Sequence, residues 1–156
     1  MVSIVPATAE DLPLILDLIK ALAEYEKLSD AVTANEGQLR ATLFGGRPAA
    51  EILIARWNGE EAGFALFFQS YSTFLAKPGI YLEDLFVKPH LRGKGIGRAL
   101  LGKLAAIARE RNYGRVEWAV LDWNAPSIAF YKKLGAVPLD DWTTYRLTGD
   151  ALRDLK

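Results

Sequence analysis

At 156 residues, with 51% hydrophobic and 24% charged, the chain has the size and composition of one globular domain spanning 1–156 rather than of a disordered or fibrous segment. Its 19 basic residues balance its 19 acidic ones, so no global field points to a nucleic acid or an anionic membrane as partner. The lack of Cys excludes disulfides, Cys-ligated metals and an acyl-cysteine intermediate, and a single His leaves little from which to build a metal site or a Ser-His-Asp triad. The opening MVSIVPATAEDLP has neither the basic start nor the apolar core of a signal peptide, and no apolar run approaches the roughly 18 residues of a membrane span. A soluble, cytoplasmic protein without metal is the expectation.

Val2 to Val5 reads as a short strand. Thr8, with Asp11 three residues on, forms a capping-box pattern ahead of Leu12, Ile15, Leu16, Ile19, Leu22 and Ala23, which recur at helical spacing. Thr33 with Glu36 opens a shorter helix through Leu39 to Leu43, stopped by Gly45, Gly46 and Pro48. The period then changes to that of strands. Glu51 to Trp57, the hairpin signal Asn58-Gly59, and Gly63 to Tyr71 predict a β-hairpin. A loop from Ser72 to Gly79 leads to a third strand, Ile80 to Val87, ended by Pro89. A helix from about Ile96 to Arg111 carries the stripe Ile96, Leu100, Leu104, Ile107 and Ala108. Arg115 to Leu121 is another strand. Asn124 caps a helix with Pro126 in its first turn and Gly135 at its end, and Asp141 to Leu147 (DWTTYRL) is a last strand. Hairpins and crossovers together predict an α/β protein with a mixed sheet and helices on both faces.

Charge is unevenly placed. From Pro89 to Arg111 the basic residues Arg92, Lys94, Arg98, Lys103, Arg109 and Arg111 face only Glu110, which suits a small anionic ligand. Within this stretch Arg92-Gly93-Lys94-Gly95-Ile96-Gly97 follows a strand and opens a helix. Its glycines let the backbone bend tightly, and the first amides of the helix then converge on one spot, the arrangement that binds phosphate. The spacing matches neither a Walker A loop nor a Rossmann fingerprint. It fits Arg/Gln-x-x-Gly-x-Gly/Ala, met by Arg92, Gly95 and Gly97.

The runs YLEDLFVKPHLRGKGIGRALL and, about thirty residues beyond the turn, WNAPSIAFYKKLGA resemble the GCN5-related N-acetyltransferase (GNAT) superfamily, and within it the diamine (spermidine/spermine-type) and thialysine acetyltransferases. The resemblance implies a mixed, mostly antiparallel sheet splayed at its middle, acetyl-CoA as acetyl donor, a small cationic amine as acceptor, and a homodimer. It implies that Leu85, Phe86 and Val87 present backbone groups to the pantetheine arm, that Arg92, Gly93, Lys94, Gly95, Gly97 and Arg98 hold the pyrophosphate, and that Asn124 contacts the cofactor. It makes Glu83 the base, Tyr131 the group beside the thioester sulfur, and Tyr25, Glu26, Phe74 and Asp84 the acceptor pocket. The chemistry is consistent with these residues. An alkylamine of pKa ~10.4 arrives protonated and needs a carboxylate base. A backbone amide can meet the oxyanion, and a phenol can protonate the departing thiolate. Without Cys, direct transfer is expected. Glu83 and Asp84 are consecutive in a strand and so point to opposite faces unless a bulge intervenes. The acceptor stays open among polyamines, diamines, a lysine-like amino acid and an antibiotic amine. A non-catalytic acyl-CoA-binding module and a nucleotide-phosphate binder are the rival readings. His90 reads as a solvent-facing loop residue.

Overall fold

A computed structural model describes residues 1–156. They divide into two units, Met1–Ala119 and Val120–Lys156. The first holds one five-stranded sheet in the order β1 (Val2–Pro6), β2 (Glu51–Trp57), β3 (Glu60–Ser72), β4 (Lys77–Val87) and β5 (Val116–Trp118). The first three pairings are antiparallel and the last, β4 with β5, is parallel. The parallel pair needs a crossover, supplied by α3 (Ile96–Glu110).

Both faces of the sheet are covered. Strand alternation sends Ile52, Ile54, Phe64 and Phe86 to one side, where they cluster with Ile15, Leu18 and Leu22 of α1 (Leu12–Tyr25) and Leu43 of α2 (Glu36–Leu43). Their strand neighbours Leu53, Ala55, Ala65 and Phe67 are buried on the other side. There α3 crosses all five strands with Ile96, Leu100, Leu104 and Ala108 turned inward. The far end of α3 is fastened by Arg111, whose two guanidinium nitrogens donate to the Glu51 carboxylate at 2.7 and 2.8 Å and hold that carboxyl below its usual pKa.

The hairpin and the α3 stripe follow the sequence expectations, and four details differ. The Thr8–Asp11 capping box forms, with the Thr8 amide donating to Asp11 at 2.8 Å, but it caps a 3-10 turn, Ala9–Asp11, that leads into α1. The second helix is capped by Asn35, not Thr33: Asn35 accepts from the Gln38 amide at 2.9 Å and Gln38 returns the bond at 3.1 Å. Asn35 sits immediately before the first helical residue, where its short side chain reaches the third amide of the turn. The β3–β4 loop is shorter than expected, because pairing runs out to Ser72 and Lys77. The strand expected over Arg115 to Leu121 is only Val116–Trp118.

Close approach explains one glycine. A Cβ on Gly63 in β3 would lie 2.1 Å from the Phe86 carbonyl oxygen and 3.0 Å from the Val87 Cα. Gly63→Ala must therefore push β3 and β4 apart where backbone meets backbone. A loss of roughly 6–12 °C in Tm is expected, the size of a severe overpacking change in a chain of this length. Gly102→Ala is the control, since a Cβ there meets nothing within 4 Å and helix propensity improves. Equal melting temperatures for the two variants would contradict the packing of β3 on β4.

In the second unit, α4 (Ala125–Lys133) is capped by the buried Asn124, which accepts from the Ser127 amide at 3.4 Å. It ends at Gly135 with φ +89. A short helix, α5 (Gly149–Asp154), which the sequence reading missed, closes the chain. Asp141 to Leu147, expected as a strand, is not one. Its Trp, Thr and Tyr residues suit a strand, but a strand exists only by pairing, and the sheet has no sixth member.

Candidate active site

The decisive local feature is in β4. Leu66 of β3 faces Asp84, while the next residue, Phe67, faces Leu82, so Glu83 is the extra residue of a β-bulge. The bulge resets the alternation. Leu82 joins Phe67 on the α3 side, and Asp84 joins Leu66 and Phe86 on the α1 side. Glu83 is exposed at the kink. The two acids are thus not the simple inward–outward pair that unbroken alternation requires.

At the same place β4 loses β5. The parallel pairing covers only Ile80 to Leu82, so from Glu83 to Val87 that edge of β4 has no strand beside it. β5 itself ends at Trp118, so the backbone of Leu85, Phe86 and Val87 is left as an open strand edge.

Acidic groups gather on the α1 side of the bulge. Burial pushes the Asp84 carboxyl up to about 6, and the negative charges of Glu83 and Glu26 push it in the same direction. Burial also raises Glu26, at the end of α1 beside Tyr25. Tyr81, which the sequence reading did not single out, is raised by burial and then by Glu83 and Glu117. Its ring lies 5.3 Å from that of Phe68 across the strand pair. The signal that could have found Tyr81 is strand spacing from Asp84, which the bulge obscures. Acids and half-buried rings together make a surface that favours a cation.

Beyond β4 the chain makes a 3-10 turn, Pro89–Leu91, and then the glycine turn. Gly93 and Gly95 have φ of +77 and +80, and a Cβ on either meets nothing within 4 Å. Gly95 is the N-cap of α3 and offers no side chain to its amides. The first-turn N–H groups of Ile96, Gly97 and Arg98 lack intrahelical carbonyls by geometry. Lys94 and Arg98 are exposed alongside. Open space, free amides and cations at one helix start fit a diphosphate. The turn is braced by its neighbours: His90 pairs with Glu60 at 2.6 Å, and the Lys94 ammonium lies 5.7 Å from the Trp57 ring centre. His90 is exposed, in a 3-10 turn rather than an open loop. Arg92 reaches toward β4 and α1. Its Nε donates to the Val87 carbonyl at 2.9 Å and its guanidinium lies over the Tyr25 ring at 4.5 Å.

The first unit thus brings together Glu83, Asp84, Glu26, Tyr25 and Arg92 with the glycine turn. It sets Phe74 apart. Phe74 is fully exposed at the tip of the β3–β4 hairpin, beyond Lys77, which is roughly 23 Å along the strand from Asp84. Asn124 and Tyr131 belong to the second unit, Tyr131 on α4 with its ring 5.6 Å from that of Phe130. No group of three or more His, Cys, Asp or Glu side chains is arranged to hold a metal ion, and no helix is long and apolar enough to cross a membrane.

A bulged strand with an open edge, followed by a glycine turn at a helix start, is the arrangement expected from the resemblance to the acetyltransferases, and comparison with known proteins shows the same family. Residues 16–136 match the model of the acetyltransferase (GNAT) family. The chain is 43% identical over 152 residues to the thialysine N-epsilon-acetyltransferase of Bos taurus, covering 90% of this chain and 89% of that one. It is 34% identical to the L-ornithine N5-acetyltransferase of Arabidopsis thaliana, covering 94% and 84%. Among solved structures, an integron cassette protein from the mobile metagenome of V. cholerae superposes with a TM-score of 0.81 at 28% identity, over 98% of this chain and 96% of that one. The chain belongs to the GNAT family and is an N-acetyltransferase.

Proposed function

We propose that this enzyme transfers acetyl from acetyl-CoA directly to a primary amine of a small cationic acceptor, a lysine-like amino acid, diamine or polyamine. The observation that carries this reading is the bulge at Glu83, which sets two carboxylates where the pairing of β4 with β5 ends and near Glu26 at the end of α1. Acetyl-CoA supplies an acyl group already activated as a thioester. The amides of the glycine turn, with Lys94 and Arg98, hold its diphosphate, and the Leu85–Val87 backbone holds its pantetheine arm. Glu83 takes the proton from the bound amine, Asp84 and Glu26 hold the acceptor's charge, and a β4 amide meets the oxyanion. Asn124 and Tyr131 keep the roles the resemblance gives them: a cofactor contact, and a phenolic proton held for the departing sulfur. No metal is used.

The whole chain 1–156 works as one cytoplasmic acetyltransferase domain, in a homodimer. The exposed Trp142 and Tyr145, in a segment of strand-forming residues with no partner strand in its own chain, support pairing with a second copy.

A thiol-release assay with acetyl-CoA and a panel of lysine analogues, ornithine, diamines, polyamines and aminoglycosides tests the reading. Turnover is expected with short cationic amines and not with neutral ones. Tight acetyl-CoA binding without turnover on any amine would leave the non-catalytic acyl-CoA-binding module as the better description. Tyr131→Phe should lower kcat about tenfold while moving acetyl-CoA affinity little. The loss is modest because a thiolate of pKa near ~8.5 leaves without much help. Wild-type turnover in this variant would remove Tyr131 from the chemistry.

A further inference from the structure

We infer that Arg92 is a positioning residue that ties the cofactor turn to the acceptor wall, rather than a ligand of the diphosphate. This rests on the function proposed above, which makes Tyr25 and Glu26 part of the acceptor pocket.

Three tethers hold the segment around the glycine turn. Two of them, His90 on Glu60 and Lys94 near Trp57, run to the β2–β3 hairpin. The third is Arg92, and it runs the other way. Its Nε–H is committed to the Val87 carbonyl, the last residue of β4, at 2.9 Å. That bond fixes the plane of the guanidinium. The planar group then lies over the Tyr25 ring at 4.5 Å and within 5.5 Å of the Phe86 ring centre. Phe86 is buried in the core shared with α1, so the stack joins the end of β4 to the end of α1. Tyr25 is the last residue of α1 and Glu26 is its C-cap. Past Glu26, Lys27 takes a left-handed φ of +61 and the helix is over. The helix end is closed by its own backbone, the Leu28 amide donating to the Ala23 carbonyl at 2.8 Å, so what Arg92 sets is where this capped end stands against β4.

One side chain therefore fixes three things at once: where β4 ends, where the glycine turn begins, and where Tyr25 and Glu26 stand relative to Asp84. Glu26 is close enough to Asp84 to raise its pKa, so a shift of the α1 end changes the charge surface that receives the amine. The flat fork and the stack both need arginine. A lysine keeps the charge and loses both.

The test is steady-state kinetics on Arg92→Lys, Arg92→Gln, Tyr25→Leu and the Arg92→Gln/Tyr25→Leu double variant, with acetyl-CoA affinity measured separately by calorimetry. Both Arg92 variants should raise the amine KM about fivefold or more, the scale set by losing one stacked cation, and change acetyl-CoA Kd less than about twofold. Arg92→Lys should resemble Arg92→Gln rather than wild type. The double variant should be no worse than the poorer single one, since the two side chains act as one unit. A weakened acetyl-CoA Kd with unchanged amine KM, or full function in Arg92→Lys, would overturn the inference and return Arg92 to the diphosphate. Failure of the wild-type protein itself to bind acetyl-CoA would instead sink the proposed function.

Discussion

Glu83→Gln should lower kcat at neutral pH by at least about 100-fold, the lower end of what general-base catalysis contributes, and should move the pH optimum upward. The amide cannot take a proton, so the reaction waits for amine that has lost its own, and that fraction grows tenfold per pH unit toward ~10.4. Its neighbour separates cleanly from it. Asp84 has a pKa of about 6 in the folded protein against 3.8 as an ordinary carboxyl. It must be ionised to hold a cation, so kcat/KM for cationic amines should fall as pH drops through about 6 in the wild type. Asp84→Asn should abolish that limb and raise the amine KM.

The stability of Asp84→Asn runs the other way. A raised folded-state pKa means the fold binds the proton more tightly than the unfolded chain does. The contribution favours folding below pH 3.8 and is lost as pH rises through about 6. At pH 7 the ionised Asp84 therefore weakens the fold by an amount on the order of 2–3 kcal/mol. Removing the charge should raise Tm roughly 5–10 °C at pH 7 and change it little at pH 4. An Asp84→Asn protein that melts at the wild-type temperature at pH 7 would contradict the burial of that carboxyl. A wild-type pH–rate profile in Glu83→Gln would contradict its role as base.

The second large effect concerns the turn. Gly95→Val should cut acetyl-CoA affinity by about 100-fold or more. At φ +80 a β-branched residue costs on the order of 1–3 kcal/mol in strain. Its methyl groups also fill the open space in front of the α3 amides. Because an added Cβ meets nothing within 4 Å, the fold itself has room. The strain should lower Tm modestly while leaving native circular dichroism intact. Gly102→Ala, on the same helix, should bind as wild type. Undiminished affinity in Gly95→Val would move the diphosphate elsewhere.

What could be seen in the sequence was what local chemistry decides. The β-rich run Glu51 to Trp57, the Asn58-Gly59 turn, the α3 stripe and the Asn124 cap each depend on neighbours a few residues away, and each formed where expected. The bulge was visible only as a possibility. Which residue of Ile80–Val87 is extra is settled by the register against β3, and no residue type announces it. The same limit hid Tyr81 and the raised Asp84, both products of packing across strands. The motif points Arg92 at the diphosphate, and its contacts with the end of β4 and of α1 could not be read beside that, since a long side chain next to a turn has several partners in reach. The competing carbonyl of Val87 and ring of Tyr25 come from distant parts of the chain. Asp141 to Leu147 shows the converse error, a good strand composition with nothing in the chain to pair against.

Calorimetric titration of the wild-type protein with acetyl-CoA and, separately, with ATP tests the central claim most directly. The open edge of β4 and the α3 amides should together bind acetyl-CoA with low-micromolar affinity and unit stoichiometry, and ATP at least about 100-fold more weakly, since ATP has no pantetheine arm to lie along that edge. ATP binding as tightly as acetyl-CoA, or no heat from acetyl-CoA at all, would contradict it.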